Sequence, residues 1–352
     1  MASVTAIIRE DAALLADTMR DDLGALGGGT VVLTGAAGFL CSYLLDVLAA
    51  WARDASRPCR VLALDSFRTG LPDRIAHLDG DPNVTFVRHD VSQPFVPDGS
   101  VEWILHGASI ASPTFYRRYP LETIDVNVGG TRHMLDLARA RGVRAMLQLS
   151  SSEIYGDPDP AAIPTREDYA GNVSCVGPRA CYDESKRLGE TLCTTYHRLH
   201  DTPVTIVRPF NVYGPGQRLD DRRIMPDLMQ AALAREPIVL HSDGRATRSF
   251  CYLRDFVHGA LHVWLRGARG EAYNVGNDEE VSIAHVAELV AELAGPPAIP
   301  VRYETSGDPD YLTDNPQRRC PDLAKVRALG WSPAVPLAEG LARTLASYRD
   351  VA

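Results

Sequence analysis

Four features that mark common protein classes are missing from this 352-residue sequence. The net charge is -9 and the pI is near 5.6, which argues against an electrostatic nucleic-acid surface, so we expect no nucleic-acid partner. The seven cysteines are odd in number and form neither a C-x-x-C pair nor a zinc-ligand spacing, so we expect no metal. There is no apolar run of membrane-spanning length. Internal repeats and low-complexity tracts are absent as well.

The composition that remains is that of an ordinary soluble globular protein, with 45% hydrophobic and 23% charged residues. The length allows one large domain or two modest ones, each with a substantial core. Because no signal peptide is recognisable, we expect reduced thiols and a cytoplasmic location. The negative net charge does not exclude an anionic ligand, because backbone amides and a few arginines can bind phosphate locally.

Apolar strands alternate with helices over the first two thirds of the chain. We predict strands at residues 30–34, 60–65, 83–87, 101–106, 145–149 and 204–208, and helices at 39–51 and 119–141. Near-continuous apolar strands separated by helices are typical of a parallel sheet that is covered on both faces. The fold class that we predict is therefore α/β, a Rossmann-like doubly wound parallel sheet.

The two ends of the chain have a different texture. Residues 1–28 carry apolar side chains at near-helical spacing up to a run of three glycines, which predicts an amphipathic helical arm that docks on the main body. A role at a subunit interface is the alternative. Residues 29–210 would form the cofactor domain. Beyond them proline, glycine and clustered charges become denser, so we expect residues 211–352 to form a smaller substrate domain, with some segments returning to the sheet.

A glycine-rich turn joins the first predicted strand to the first predicted helix, which is the context that a dinucleotide-binding turn requires. Gly35 would permit the tight turn, and Gly38 would let a pyrophosphate approach the N–H groups at the helix N-terminus, where Phe39 and Leu40 follow. Cys41 replaces the third glycine of the usual pattern. We expect its small side chain to be tolerated with a slight shift.

A carboxylate ends the second predicted strand. Asp65 lies 27 residues after Gly38, at the place where a carboxylate binds the adenosine ribose hydroxyls and repels a 2′-phosphate. The pattern therefore predicts NAD rather than NADP as the cofactor. Asp90 and Val91, after the third strand, are candidate adenine contacts. The alternative is that the glycines only make a turn and that Asp65 only caps it.

Tyr182 and Lys186 are one helical turn apart, downstream of a serine-rich strand end. A tyrosine near its ordinary pKa of about 10 is a poor base at neutral pH, but a nearby ammonium and a positively charged nicotinamide would favour the phenolate. Ser151 would bond the same substrate hydroxyl as Tyr182. Glu153 is a candidate acid or base at a neighbouring carbon, or an ordinary capping glutamate. The alternative for the set is a surface Tyr/Lys pair and a serine-rich N-cap.

Four stretches carry a family resemblance: residues 150–158, 177–187, 208–215 and 317–322. On these motifs the chain resembles an extended short-chain dehydrogenase/reductase acting on nucleotide sugars, and it is most similar to the UDP-glucuronate decarboxylases. The resemblance runs over residues 30 to 345. It implies oxidation of a UDP-hexuronate at C4, loss of C6 as CO2 from the 4-keto sugar, and re-reduction to a UDP-pentose. It also implies a homodimer.

The resemblance implies roles for matching positions. Ser151, Tyr182 and Lys186 would be catalytic, while Glu153 and Arg319 would handle the hexuronate carboxylate or the reprotonation. Four further positions would contact the nucleotide sugar: Ser112, Asn211, Arg248 and Arg318. On sequence alone, each of these arginines could equally be a solvated surface charge.

Some segments depart from the family pattern where substrate would be read. Residues 109–118 add two arginines near the expected sugar pocket, and residues 308–315 make a longer loop. We therefore keep 4-epimerase, 4,6-dehydratase and C4 dehydrogenase activity on another nucleotide sugar as alternatives. Ser152, where dehydratases usually carry Asp, disfavours dehydration, and Glu153 disfavours a plain epimerase. A non-catalytic NAD sensor is disfavoured because the Tyr/Lys pair is present.

Overall fold

A computed structural model describes residues 6–304 and 316–349 of the chain. Its strands are β1 (Thr30–Thr34), β2 (Arg60–Asp65), β3 (Val84–Arg88), β4 (Trp103–His106), β5 (Ala145–Leu149), β6 (Val204–Pro209), β7 (Val212–Tyr213), β8 (Ile238–Leu240), β9 (Thr247–Ser249), β10 (Cys251–Tyr252), β11 (Ala272–Val275), β12 (Glu280–Ser282), β13 (Val301–Tyr303) and β14 (Arg318–Arg319). The short strands β7–β10 and β12–β14 lie outside the central sheet.

The α-helices are α1 (Ala6–Thr18), α2 (Arg20–Leu23), α3 (Phe39–Asp54), α4 (Pro113–Arg118), α5 (Pro120–Ile124), α6 (Thr131–Arg141), α7 (Ala180–His200), α8 (Ile224–Ala234), α9 (Leu253–Arg266), α10 (Ile283–Leu293), α11 (Ala324–Arg327) and α12 (Leu337–Arg349). A π-helical segment, Asp125–Gly130, joins α5 to α6. The helix predicted at 119–141 is therefore three consecutive helical pieces.

The central sheet has seven strands in the order β11-β6-β5-β4-β1-β2-β3, and every neighbouring pair is parallel. One apolar cluster packs α3 and α9 against one face, and a second packs α6 and α7 against the other. The predicted Rossmann-like, doubly wound α/β class is confirmed. Strand order reverses between β1 and β4, the position at which such sheets bind ligands beyond the strand ends.

The N-terminal segment is two helices rather than the single one that we predicted, because the backbone leaves helical geometry at Met19. It packs on α3, α9 and α12. The carboxylate of Asp11 is fully buried there, where it accepts hydrogen bonds from the hydroxyls of Tyr43 and Tyr252, at 2.7 and 2.9 Å. Arg343 and Arg254 complete its set of partners. These contacts tie α1 to elements from both ends of the chain.

The C-terminal part contributes both to the sheet and to a second core. β11 pairs with β6 at the edge of the central sheet, and α9 covers the neighbouring face. Most of the remaining described elements pack around a separate apolar cluster formed mainly by α8, α10 and α12, while α11 and Trp331 pack with the cluster of the central sheet. Within the described residues, we find no helix with the length and apolar character that crossing a membrane would need.

Candidate active site

The carboxyl ends of the central strands meet around one cavity of about 260 Å³. Residues from both cores line it, so the cavity lies between the sheet and the second apolar cluster. Among its lining residues are most of the positions that the sequence singled out: Gly35, Gly38, Phe39, Leu40, Ser151, Glu153, Tyr182, Lys186 and Asn211. The phenol of the Tyr/Lys pair therefore lies in the same cavity as the glycine-rich turn.

The glycine-rich turn needs glycine for a steric reason. Gly35 has φ of +73°, and a Cβ there would lie 2.8 Å from the Cα of Ala108. Gly38 precedes the first residue of α3 in extended conformation, and no side chain caps that helix N-terminus. The free N–H groups of the first turn of α3 therefore face the cavity edge, as an incoming pyrophosphate requires.

Cys41 fits because the facing residue has no side chain. A Cβ on Gly107, just after β4, would lie 2.3 Å from the Cys41 sulfur and 2.9 Å from Cδ1 of Leu149. The side chain of Cys41 thus occupies the space that a side chain at position 107 would need. Burial raises the pKa of the Cys41 thiol to about 12, so the group is a packed neutral side chain rather than a nucleophile.

Asp65 ends β2 beside the turn. Its carboxylate accepts hydrogen bonds from the backbone N–H groups of Ala37, at 2.9 Å, and Phe67, at 2.7 Å. Burial raises the pKa of Asp65, and these N–H groups oppose the rise. Asp65, Asp90 and Val91 line a second, small cavity of about 70 Å³, which shares Gly35 and Gly38 with the first. The glycines of the turn, the uncapped N-terminus of α3 and the carboxylate of Asp65 fit a dinucleotide, whose adenosine end would lie in this second cavity.

α7 presents Tyr182 and Lys186 on one face, one helical turn apart. The Lys186 Nζ donates to the carbonyl oxygen of Leu149 at 2.8 Å and lies 5.8 Å from the centroid of the Tyr182 ring. Burial lowers the pKa of Lys186 to about 8, so the ammonium is still mostly protonated at neutral pH. Burial raises the pKa of Tyr182 to about 12, although the hydrogen bond from Ser151 acts to lower it.

Glu153 also lines the cavity and is held by two arginines. Both of its oxygens bind the guanidinium of Arg319, and Arg179 forms a further ion pair with it. Burial alone would raise the pKa of Glu153, but Arg319 and Arg179 hold it well below its usual range. Its N–H donates to Ser151 Oγ at 3.2 Å. The structure thus brings together Ser151, Glu153 and Arg319, which the sequence predicted.

Two partners of this group were not predicted. Arg179, the residue immediately before α7, binds both Glu153 and Asp183. Asp183 follows Tyr182 directly and is buried. Both lie inside the motif at 177–187: Arg179 is three residues before Tyr182 and Asp183 is one residue after it. Their closeness to the tyrosine in the sequence was the signal that could have identified them.

Tyr116 is the third residue that the sequence did not single out. Its ring stacks on Tyr182 with a centroid distance of 5.2 Å and an interplanar angle of 15°, and it lines the cavity. Its hydroxyl is buried and has no hydrogen-bond partner among the described residues. Arg117 and Arg118, which were expected near the sugar pocket, are exposed. α4 turns Tyr116 inward and these neighbours outward, because consecutive helical residues point in different directions.

The expected substrate contacts are placed unequally. Asn211 lines the cavity, with φ of +40°, and its amide donates to the carbonyl of Ser249 at 3.2 Å. Arg248 is buried behind it, and burial lowers its pKa to about 10. Ser112 is buried at the start of α4, where its hydroxyl lies 3.5 Å from the carbonyl of Asp221.

Arg318 is not brought together with the others. It forms a two-bond ion pair with Glu280, both bonds at 2.9 Å, and remains half exposed. Arg319 is the next residue of β14, and neighbouring side chains of a strand point to opposite faces. Residues 308–315, where we noted a longer loop, lie outside the described residues. Within the described part of the chain, no group of His, Cys, Asp or Glu could hold a metal ion.

Comparison with known proteins places this geometry in a family. The model of the NAD dependent epimerase/dehydratase family matches residues 31–276. UDP-glucuronic acid decarboxylase 6 of Arabidopsis thaliana is 39% identical over 88% of this chain and 86% of the relative. UDP-glucuronic acid decarboxylase 1 of Xenopus tropicalis is 37% identical over 91% of this chain and 72% of the relative.

Solved structures with the same fold include both epimerases and dehydratases. An epimerase from Methanothermobacter thermautotrophicus has a TM-score of 0.80 and 28% identity, covering 95% of this chain and 96% of its own. A dTDP-glucose 4,6-dehydratase from Streptomyces venezuelae, solved with NAD bound, has a TM-score of 0.78 and 26% identity, covering 91% and 97%. The fold is therefore shared by enzymes that differ in the reaction they catalyse.

Proposed function

This chain belongs to the NAD dependent epimerase/dehydratase family, and on that premise we propose that it decarboxylates UDP-glucuronate to a UDP-pentose. The observation that carries the proposal is one cavity with two kinds of chemistry. Tyr182, Ser151 and Lys186 line it beside the dinucleotide turn. Glu153 lines it as well and forms ion pairs with Arg319 and Arg179. Its relatives at 37–40% identity are named UDP-glucuronic acid decarboxylases.

The first group of residues handles the sugar C4 hydroxyl. NAD is the cofactor, and when bound it supplies a reversible hydride acceptor for C4. Tyr182 accepts the proton of the C4 hydroxyl. Ser151, which is hydrogen-bonded to the Tyr182 phenol, also forms a hydrogen bond with the C4 oxygen. The Lys186 ammonium, 5.8 Å from the ring, favours the phenolate that must form. These residues later return the proton to the C4 oxygen.

The second group handles the carboxylate. Once C4 is a ketone, a C6 carboxylate is β to it, so the C5–C6 bond breaks to give CO2 and leaves its electron pair in an enolate. Arg319 and Arg179 are the cations suited to hold that carboxylate before it leaves. Glu153 would protonate C5 of the enolate with a proton that it takes up from solvent, the one proton that the decarboxylation consumes. Because both arginines hold Glu153 as a carboxylate, we infer that it gains a proton only when the sugar carboxylate draws an arginine away.

We also propose the domain boundaries, location and assembly that the sequence suggested. Residues 29–210 would bind the cofactor and 211–352 the nucleotide sugar, with β11 returned to the cofactor sheet, in a cytoplasmic enzyme. For a homodimer, the supporting face is that of α5 and α7, where Leu121, Ile124 and Leu188 are exposed. Ile124 and Leu188 line a groove of about 740 Å³. Analytical ultracentrifugation of wild type and Leu188→Glu tests this: only the variant should sediment as a monomer.

The activity is tested with purified protein, UDP-glucuronate and no added reductant. We expect CO2 release and a UDP-pentose by mass spectrometry, because each hydride removed from C4 is returned. No turnover of UDP-glucuronate together with turnover of a neutral nucleotide hexose would replace the proposal by 4-epimerisation, 4,6-dehydration or C4 oxidation. A panel of nucleotide sugars in the same assay distinguishes these products by mass and by chromatography.

A further inference from the structure

Asp183 is a buried carboxylate directly beside the catalytic tyrosine, and the reaction as written above gives it no task. It follows Tyr182 on α7 and is 5% exposed. One oxygen, Oδ2, accepts a long hydrogen bond from Nε of Arg179 at 3.4 Å. The other, Oδ1, is buried and has no hydrogen-bond partner among the residues that the structure describes. A carboxylate that is bonded on one side only is incompletely compensated for its loss of hydration.

Asp183 reaches the cavity through one intermediate residue. Arg179 uses Nε for Asp183 and Nη2 for Glu153, and Glu153 lines the cavity and also binds Arg319. Two carboxylates therefore compete for the same guanidinium. The strength with which Arg179 holds Glu153 must depend on whether Asp183 carries its negative charge, because an ionised Asp183 attracts the shared cation and a neutral one does not.

The charged and titratable groups around Asp183 come from four elements. From its own helix and the residue before it come Tyr182, Cys181 and Arg179; from the turn after β5 comes Glu153; from α4 comes Tyr116; and from β14 comes Arg319. Burial, followed by repulsion from Glu153, raises the pKa of Asp183 to about 7, against the attraction of Arg179 and Arg319. Its charge therefore changes in the range where the enzyme would work.

We propose that Asp183 is a positioning residue that sets the hold of Arg179 on Glu153 and so decides how readily Glu153 takes up the proton for C5. The inference rests on the proposed function for the reaction that Glu153 serves. When Asp183 is ionised, Arg179 is divided between two carboxylates and Glu153 is held less tightly. When Asp183 is neutral, Arg179 and Arg319 both stay with Glu153, which then takes up and delivers the proton less readily.

The test compares Asp183→Asn with Glu184→Gln, the same chemical change at the next position, where the side chain is exposed and pairs with Arg187 at 3.7 Å. We measure kcat and KM for UDP-glucuronate between pH 6 and pH 8.5. The wild-type kcat should rise up to about tenfold as a group with a pKa near 7 ionises. Asp183→Asn should match wild type at pH 6 and lack the rise, while Glu184→Gln retains it. A variant Asp183→Asn that keeps the rise overturns the inference.

A stability measurement separates this inference from the activity assignment. The folded-state pKa of Asp183 is raised, so its contribution to stability is complete below its unfolded-state pKa and is lost as pH rises towards the folded-state value. The unfolding temperature of wild type should therefore fall relative to that of Asp183→Asn between pH 5 and pH 8. A constant difference overturns the inference even if UDP-glucuronate is decarboxylated. If the substrate is not turned over but the difference appears, only the activity assignment fails.

Discussion

The two halves of the active site are built from different materials. The cofactor half consists mainly of glycines and backbone N–H groups, with the carboxylate of Asp65 and one buried lysine, and its glycines Gly35 and Gly38 lie close together in the sequence. The substrate half consists of charged side chains. Its central ion pair, Glu153 with Arg319, joins positions 166 residues apart.

This difference teaches how each half tolerates change. The glycine-rich turn is sensitive to added volume, because a Cβ at Gly35 would meet backbone atoms of Ala108 within 3 Å. A network of paired charges tolerates small shifts in shape, yet loses much when one partner goes, because the remaining charges stay buried and unpaired. Substitutions that remove charge should thus act on the substrate half, and substitutions that add volume should act on the cofactor half.

Tyr182 stands where the two halves meet, and its hydroxyl should give the largest effect. Tyr182→Phe keeps the ring that stacks on Tyr116 but removes the proton acceptor, so we expect kcat to fall by about 10³-fold. NAD affinity, measured by fluorescence titration, should change little. Turnover close to that of wild type would show that another group accepts the proton.

Arg319→Met should have the next largest effect and should leave the cofactor half alone. The variant removes a buried cation and frees one side of Glu153, so we expect kcat/KM for UDP-glucuronate to fall by about 10²-fold. The pKa of Glu153 should rise towards its ordinary value, because the first of the two arginines that lower it is gone. Titration calorimetry with NAD provides the contrast: a matching loss of NAD affinity would show that the two halves are not separable.

Gly107→Ala should damage the cofactor half through volume alone. The added Cβ would lie 2.3 Å from the Cys41 sulfur, and overpacking of this kind costs about 1–3 kcal/mol of the free energy of unfolding. NAD affinity should fall as well, because Cys41 is in the first turn of α3. The double variant Cys41→Gly/Gly107→Ala restores the space and should recover most of both losses. If the double variant is no better than Gly107→Ala, the clash with Leu149 is the dominant one.

The same contrast explains how far the sequence could predict the site. The sheet, its strands and the glycine-rich turn follow from local patterns, apolar runs and the glycines at fixed offsets. The parallel sheet is confirmed by the described elements, whereas the cofactor contacts of the turn stay a prediction. The break of the arm at Met19 and the burial of Asp11 depend on which distant side chains meet there. Tyr116 was missed for the same reason, because its importance lies in its contact with Tyr182 and not in a spacing, whereas Arg179 lies inside the motif at 177–187 and could have been singled out there.

Arg318 should give the smallest effect and is the sharpest test of this reasoning, because it is the immediate neighbour of Arg319. A short strand turns the two guanidinium groups to opposite faces: Arg319 pairs with Glu153, which lines the cavity, and Arg318 pairs with the partly exposed Glu280. Solvent weakens an exposed pair, so Arg318→Ala should leave kcat and KM within about twofold of wild type. Arg318→Met is the matched partner of Arg319→Met in the same assay. A rise in KM for UDP-glucuronate of tenfold or more in either Arg318 variant would place this side chain on the nucleotide, as the family resemblance implied, and would mean that β14 rearranges when substrate binds.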